Sequence, residues 1–233
     1  PPPDTTPPSA PVVTDDGIVT ASGVTLHASW SSTDAESGIA SYEYAIGTSP
    51  SDPGEGYVMP WTAAGPAESR TVDTLTLEPG TRYYWYVRAT NGANLVSDVG
   101  VSDGIMRVTL AAGTPARAKL EPDGVFLSVS GRVTATSAQL DGRLYIEAPD
   151  RSSGIACVST DPSAVGDSVI VAGTMATDGG ERVVSGATIL ASEAATPVAP
   201  HSMTLRSAAG GDFFYDAQTG AGQRGVSVPE GAG

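Results

Sequence analysis

Two histidines, one cysteine and scattered carboxylates are the side chains of this chain that could do covalent or acid–base work. A serine or cysteine nucleophile needs an activating base within hydrogen-bond reach. His27 sits midway along an alternating apolar segment, on its outward phase, and His201 follows Pro200 where no strand pattern holds, so neither has a nucleophile nearby in sequence. Cys157 lies in an apolar run and reads as a small buried residue, not a reactive thiol. A single cysteine also excludes an internal disulfide and a thiolate metal cluster. Glycosidic cleavage uses two carboxyl groups about 5 to 10 Å apart across a cleft. Glu147 with Asp150, and Asp34 with Glu36, are the pairs to weigh for it, and both read as groups that solvate turns. Asp34 and Glu36 share one loop, and such hard oxygens also suit Ca²⁺, although the Asp-x-Asp-x-Asp-Gly spacing of an EF-hand loop is absent. Asp15 and Asp16 before Gly17 form a similar pair. The chain is expected to be no enzyme and to carry no cofactor, Ca²⁺ at Asp34 and Glu36 being the one ion its residues admit.

Binding is better served than catalysis. Tyr84 and Tyr86 stand on the opposite phase to Tyr83, Trp85 and Val87, which predicts an exposed aromatic stripe with Tyr57 and Trp61 near it, unless Trp61 or the C-terminal segment covers the pair. Tyr145, with Arg143 and Arg151 close by, offers a ring on which a sugar could stack. Phe213, Phe214 and Tyr215 form an aromatic knot in a Gly-rich stretch and are the candidate assembly contact.

Charge narrows the partners. The formal net charge is −14, and acidic side chains outnumber basic ones in residues 1–110, 111–192 and 193–233 alike, so no basic patch is hidden by averaging. Such a surface repels phosphate backbones and anionic lipid, which argues against nucleic acid. No run of about 18 apolar residues is present, so membrane insertion is not expected. Other protein subunits, neighbouring domains and polysaccharide remain as partners.

The elements that must position these residues are strands. With 28 Gly and 18 Pro among 233 residues and no Gly-X-Y period, many short elements separated by turns are expected. The length suits two small domains. Residues 1–11 are Pro/Thr-rich and predict an extended spacer. Residues 12–110 show period-2 alternation: Val24, Leu26, Ala28 and Trp30 in one run, Tyr42, Tyr44 and Ile46 in the next, and Tyr83, Trp85, Val87 and Ala89 after a Leu77–Thr81 corner. Residues 111–124 are short, small and polar and read as a linker. Residues 125–190 hold five β-type runs, with hairpins expected at Asp141-Gly142 and Asp178-Gly179-Gly180. Residues 191–233 read as a Gly-rich connector or tail, and the chain is expected to continue beyond it.

Two stretches carry a resemblance. Trp30, the run SGIASYEYAIGT (Ser37 to Thr48) and above all LEPGTRYYWYVRATNGA (Leu77 to Ala93) resemble a fibronectin type III domain. The resemblance implies a tyrosine corner in which the Tyr83 hydroxyl bonds back to the backbone. SVSGRVTA, DGRLYIEAPDRSSGIACVS, VGDSVIVAGTM and GGERVVSGATIL are similar to an OB-fold of secreted modular bacterial proteins, with a bent first strand at Gly131 and, unlike many such barrels, only Asp161 to Asp167 where a helix is usual. The expected fold class is all-β: a fibronectin type III-like antiparallel β-sandwich followed by a small five-stranded OB-like β-barrel. The function that follows is a non-catalytic extracellular or cell-surface structural or adhesive module, a segment of an assembly or fibre. The alternative is a carbohydrate-binding accessory region of a larger secreted hydrolase. One lysine among many arginines fits a high-GC bacterial origin.

Overall fold

The computed structural model describes residues 3–52, 54 and 56–197, all within the unit Pro1–Pro197. Alternating apolar residues form the strands β1 (Val12–Asp15), β2 (Val19–Thr20), β3 (Leu26–Ser31), β4 (Ile39–Gly47), β5 (Met59–Gly65), β6 (Ser69–Val72), β7 (Arg82–Asn91), β8 (Gly100–Val101) and β9 (Ile105–Arg107). They make two sheets, β1-β3-β6 and β2-β9-β7-β4-β5, with β8 also on β7. Leu26, Ala28 and Trp30 from the first sheet meet Tyr42, Tyr44, Ile46, Tyr83, Trp85, Val87 and Ala89 from the second. Trp30 stacks on Tyr44 with ring centroids 5.9 Å apart, and Tyr44 lies 5.4 Å from Trp85. The alternation works because successive strand side chains point to opposite faces. The corner before β7 is closed as the resemblance implies: the Glu78 amide donates to the Tyr83 hydroxyl at 2.8 Å.

The barrel is built from β11 (Phe126–Ala135), β12 (Arg143–Glu147), β13 (Gly154–Val158), β14 (Ser168–Asp178) and β15 (Glu181–Glu193), preceded by β10 (Leu110–Gly113) and the short helix α1 (Pro115–Ala118). The pairing order β11-β12-β13-β15-β14 closes because β14 also pairs with β11. Within that ring only β13 and β15 run parallel. At Gly131 in β11 a Cβ would come within 3.0 Å of the Glu147 carbonyl oxygen. Leu127, Val129, Val133, Leu144, Ile146, Ile155, Cys157, Val169, Val171, Met175 and Val184 fill the interior.

Residues 111–124 differ from the linker reading. Ala111 to Gly113 belong to β10, which lies parallel to β11. Thr114 then caps α1, its hydroxyl accepting from the Arg117 amide, with Pro115 in the first turn. A capping Thr before Pro is a helix-start signal, overlooked because the helix is a single turn. α1 places Ala118 in the barrel core. Residues 159–167 form no helix, so the helix of this barrel comes ahead of its first strand.

The Pro/Thr-rich start is no free spacer from Asp4 onward. Pro8 and Pro11 are buried, the Ser9 amide donates to the Thr33 carbonyl at 2.9 Å, and Asn91 Nδ2 donates to Asp4 and to the Thr6 carbonyl. At the other end β15 runs to Glu193, beyond the expected start of the tail at 191.

Candidate functional site

A cleft of about 350 Å³ opens on the barrel flank, lined by Lys119, Tyr145, Gly154, Ile155, Glu181 and Arg182. Strand phase explains the side chains. Leu144 and Ile146 point into the core, which turns Tyr145 outward on β12. The two-residue turn Gly179-Gly180, both at positive φ, swings Glu181 back beside it. The Tyr145 hydroxyl donates to Glu181 at 3.1 Å, and Arg143 donates to the same carboxylate at 3.2 Å while its other terminal nitrogen pairs with Asp178. The bond to Glu181, more than burial, raises the Tyr145 phenol above its usual range. Arg182 fastens the segment after α1 to the β14–β15 hairpin: it pairs with Asp123 and donates to the Glu121 carbonyl and the Thr177 hydroxyl. Among the described residues Lys119 forms no ion pair. The cleft therefore offers a ring, a carboxylate and one open ammonium over an apolar floor, which is recognition chemistry without a nucleophile–base pair. Lys119, Glu181 and Arg182 were not singled out from sequence, because they meet only through α1 and barrel closure.

On the sandwich the expected aromatic stripe needs correction at Tyr86. It is fully buried: its ring lies over Gly47, where a Cβ would come within 2.9 Å, its hydroxyl donates to the Ser49 carbonyl at 2.7 Å, and Tyr57 packs edge-on against it at 5.8 Å. Trp61 is half-buried, donating to the Tyr57 hydroxyl at 3.0 Å beneath the Arg88 guanidinium, which sits 4.5 Å above its ring. Arg88 is in turn paired with Glu43 at 2.7 Å. Tyr84 alone of the expected pair is half-exposed, lying over Gly104. Tyr57, expected near the same outward surface, is half-buried and packs edge-on against both Trp61 and Tyr86.

The acidic loop is occupied by its own backbone. Asp34 accepts from the amides of Ser37, Gly38 and Glu36 and from Asn91, and the first of these, the Ser37 amide, holds its carboxyl below the usual range most strongly. Among the described residues no group of three acidic, His or Cys side chains is arranged to hold a metal ion. Glu147 pairs with Arg151, and Asp150 accepts from Ser152, so these carboxylates support turns. His27 pairs with Asp16 at 2.8 Å on the surface. Phe213, Phe214, Tyr215 and His201 lie outside the described residues.

No protein-family model matches the chain, and no curated protein matches it. Among solved structures, a three-domain titin structure matches over 43% of this chain and 31% of that one, at 18% identity and a TM-score of 0.30. A module of human cardiac titin matches over 42% of this chain and 88% of that one, at 23% identity and 0.29. The chicken CNTN1 FN1-FN3 domains match over 79% of this chain and 66% of that one, at 16% identity and 0.32. The chain thus spans about a third of the first of these structures. Its all-β class rests on its own strand pairings.

Proposed function

We propose that this chain is a non-catalytic structural or adhesive segment of an extracellular or cell-surface protein, made of a fibronectin type III-like sandwich and an OB-like barrel. The Tyr83 corner supports the first assignment, and the closed order β11-β12-β13-β15-β14-β11 supports the second. One observation carries the functional reading: the two modules are joined without slack. Only Val108 and Thr109 separate β9 from β10. Val108 is buried with its amide on the Thr20 carbonyl, and the Thr109 amide donates to the Phe126 carbonyl at 2.8 Å. A short, hydrogen-bonded junction transmits position from one module to the next, as a building element requires and a flexible tether does not. The partners are further copies or neighbouring domains, the acidic surface opposes nucleic acid, and among the described residues no helix is long and apolar enough to cross a membrane.

The test is assembly state by light scattering and electron microscopy, for the whole chain and for a chain ending at Pro197. That end point keeps β15 whole. Oligomers or fibres support the reading, and a monomer at every concentration overturns it for this segment. A second reading, polysaccharide binding, is favoured by the Tyr145 cleft. It expects glycan binding that Tyr145→Ala removes while the melting temperature holds.

A further inference from the structure

Residues 4–11 occupy a seat made wholly by other parts of the sandwich. Its centre is Asn91, fully buried at the end of β7. Asn91 Oδ1 accepts from the Ala93 and Leu95 amides, which fixes the side chain, and Nδ2 then donates to Asp4 at 2.7 Å, to the Thr6 carbonyl at 3.0 Å and to Asp34 at 3.1 Å. Ser37 donates to the same Asp4 carboxylate at 2.5 Å. Further along, Ser9 exchanges backbone and hydroxyl bonds with Ser32 and Thr33. Gly100 leaves the room in which the Pro11 carbonyl oxygen lies, since a Cβ there would stand 1.9 Å from it. The arrangement is a strap in a tailored groove, and the groove does not depend on which chain supplies the strap.

We propose that this seat accepts residues 4–11 of a second copy, so that copies link by exchange of these straps. The proposal rests on the assembly reading above and supplies its contact. Three features favour it. The strap precedes β1 and lies outside its ladder, so its release unpairs no strand. Pro7, Pro8 and Pro11 hold it extended before it binds, which lowers the entropy lost on docking in trans. The contacts made in cis and in trans are the same, and exchange of an identical element is a low-cost route to oligomers. Opposing it are the net charge of −14 and the effective concentration of the tethered strap, on the order of millimolar. Exchange should therefore grow with protein concentration and with salt, which screens the repulsion.

The test uses the full chain carrying Ser9→Cys and Thr33→Cys, positions whose hydroxyls lie 3.3 Å apart. Cys157 is buried and stays out of the reaction. Heavy-isotope and ordinary chains are mixed from about 10 µM to about 1 mM, left to equilibrate and oxidised. Disulfide-linked peptides are then weighed, with native tryptophan fluorescence as the check on folding. Heavy–light links whose share rises with concentration and salt are the expected result. Links confined to heavy–heavy and light–light peptides at every concentration overturn strap exchange, even where scattering still finds assemblies held by another contact.

Discussion

Phe126, the first residue of the barrel's first strand, lies across Gly80 in the corner that Tyr83 pins: a Cβ on Gly80 would meet the ring at 3.7 to 3.9 Å. Gly80 sits at φ +82°, and its amide donates to the Arg107 carbonyl at 2.8 Å, so the corner, the last sandwich strand and the barrel meet at one place. Phe126→Ala leaves both cores intact, because the ring faces out of the barrel. It should cost roughly half of the 3–5 kcal/mol typical of a buried Phe and divide one melting transition into two, which differential scanning calorimetry reads directly.

The tyrosine corner should have a modest, local weight. Tyr83→Phe keeps the ring and removes the oxygen that accepts from Glu78, so urea denaturation should show a loss of about 0.5–1.5 kcal/mol. No loss would mean that the Glu78 amide finds water without cost.

Asp15 gives the sandwich an acid-range signature. Burial pushes its carboxyl above the ordinary 3.8, against bonds from Ser102 and from the Gly17 and Gly104 amides. The folded state then binds the proton more tightly than the unfolded one. Its contribution is fully present below about pH 3.8 and is lost as pH rises through the higher folded value. Unfolding free energies of the native chain and of Asp15→Asn, measured between pH 3 and 7 on the order of every half unit, should diverge in that sense; parallel curves would contradict it.

Cys157 should be inert while the barrel is closed. Burial pushes its thiol up to about 12, so a thiol reagent at neutral pH should label it only as fast as the barrel opens. Rapid labelling under native conditions would mean that β13 is exposed.

The strap seat has a simple steric probe. Gly100→Ala puts a Cβ where the Pro11 carbonyl oxygen lies, so residues 4–11 should lift off. Hydrogen exchange at the Ser9 and Thr33 amides should speed at least tenfold, while the Tyr44 and Val87 amides of the central strands keep their protection.

Much of the fold was legible because period-2 alternation is written residue by residue. Trp30, Tyr44 and Trp85 fall on the expected face, and each of the five expected barrel runs forms a strand. What escaped depends on contacts distant in sequence. Tyr86 has the outward phase, yet a second layer led by Tyr57 covers it. Residues 4–11 have no periodicity, because their partners, Asn91 and Thr33, supply hydrogen bonds and not an apolar face. The Tyr145 cleft was half legible: the strand phase turns Tyr145 outward, whereas Lys119 and Arg182 join it only once α1 packs and the barrel closes.

The central claim, a slack-free junction between sandwich and barrel, is tested most directly by spin labels at Ser69→Cys on β6 and Ser185→Cys on β15, both exposed, with the distance between them measured by pulsed electron resonance. A single narrow distance distribution, broadened by Phe126→Ala, is the predicted result. A broad distribution already present in the chain with native Phe126 would contradict the account and leave two modules on a flexible tether.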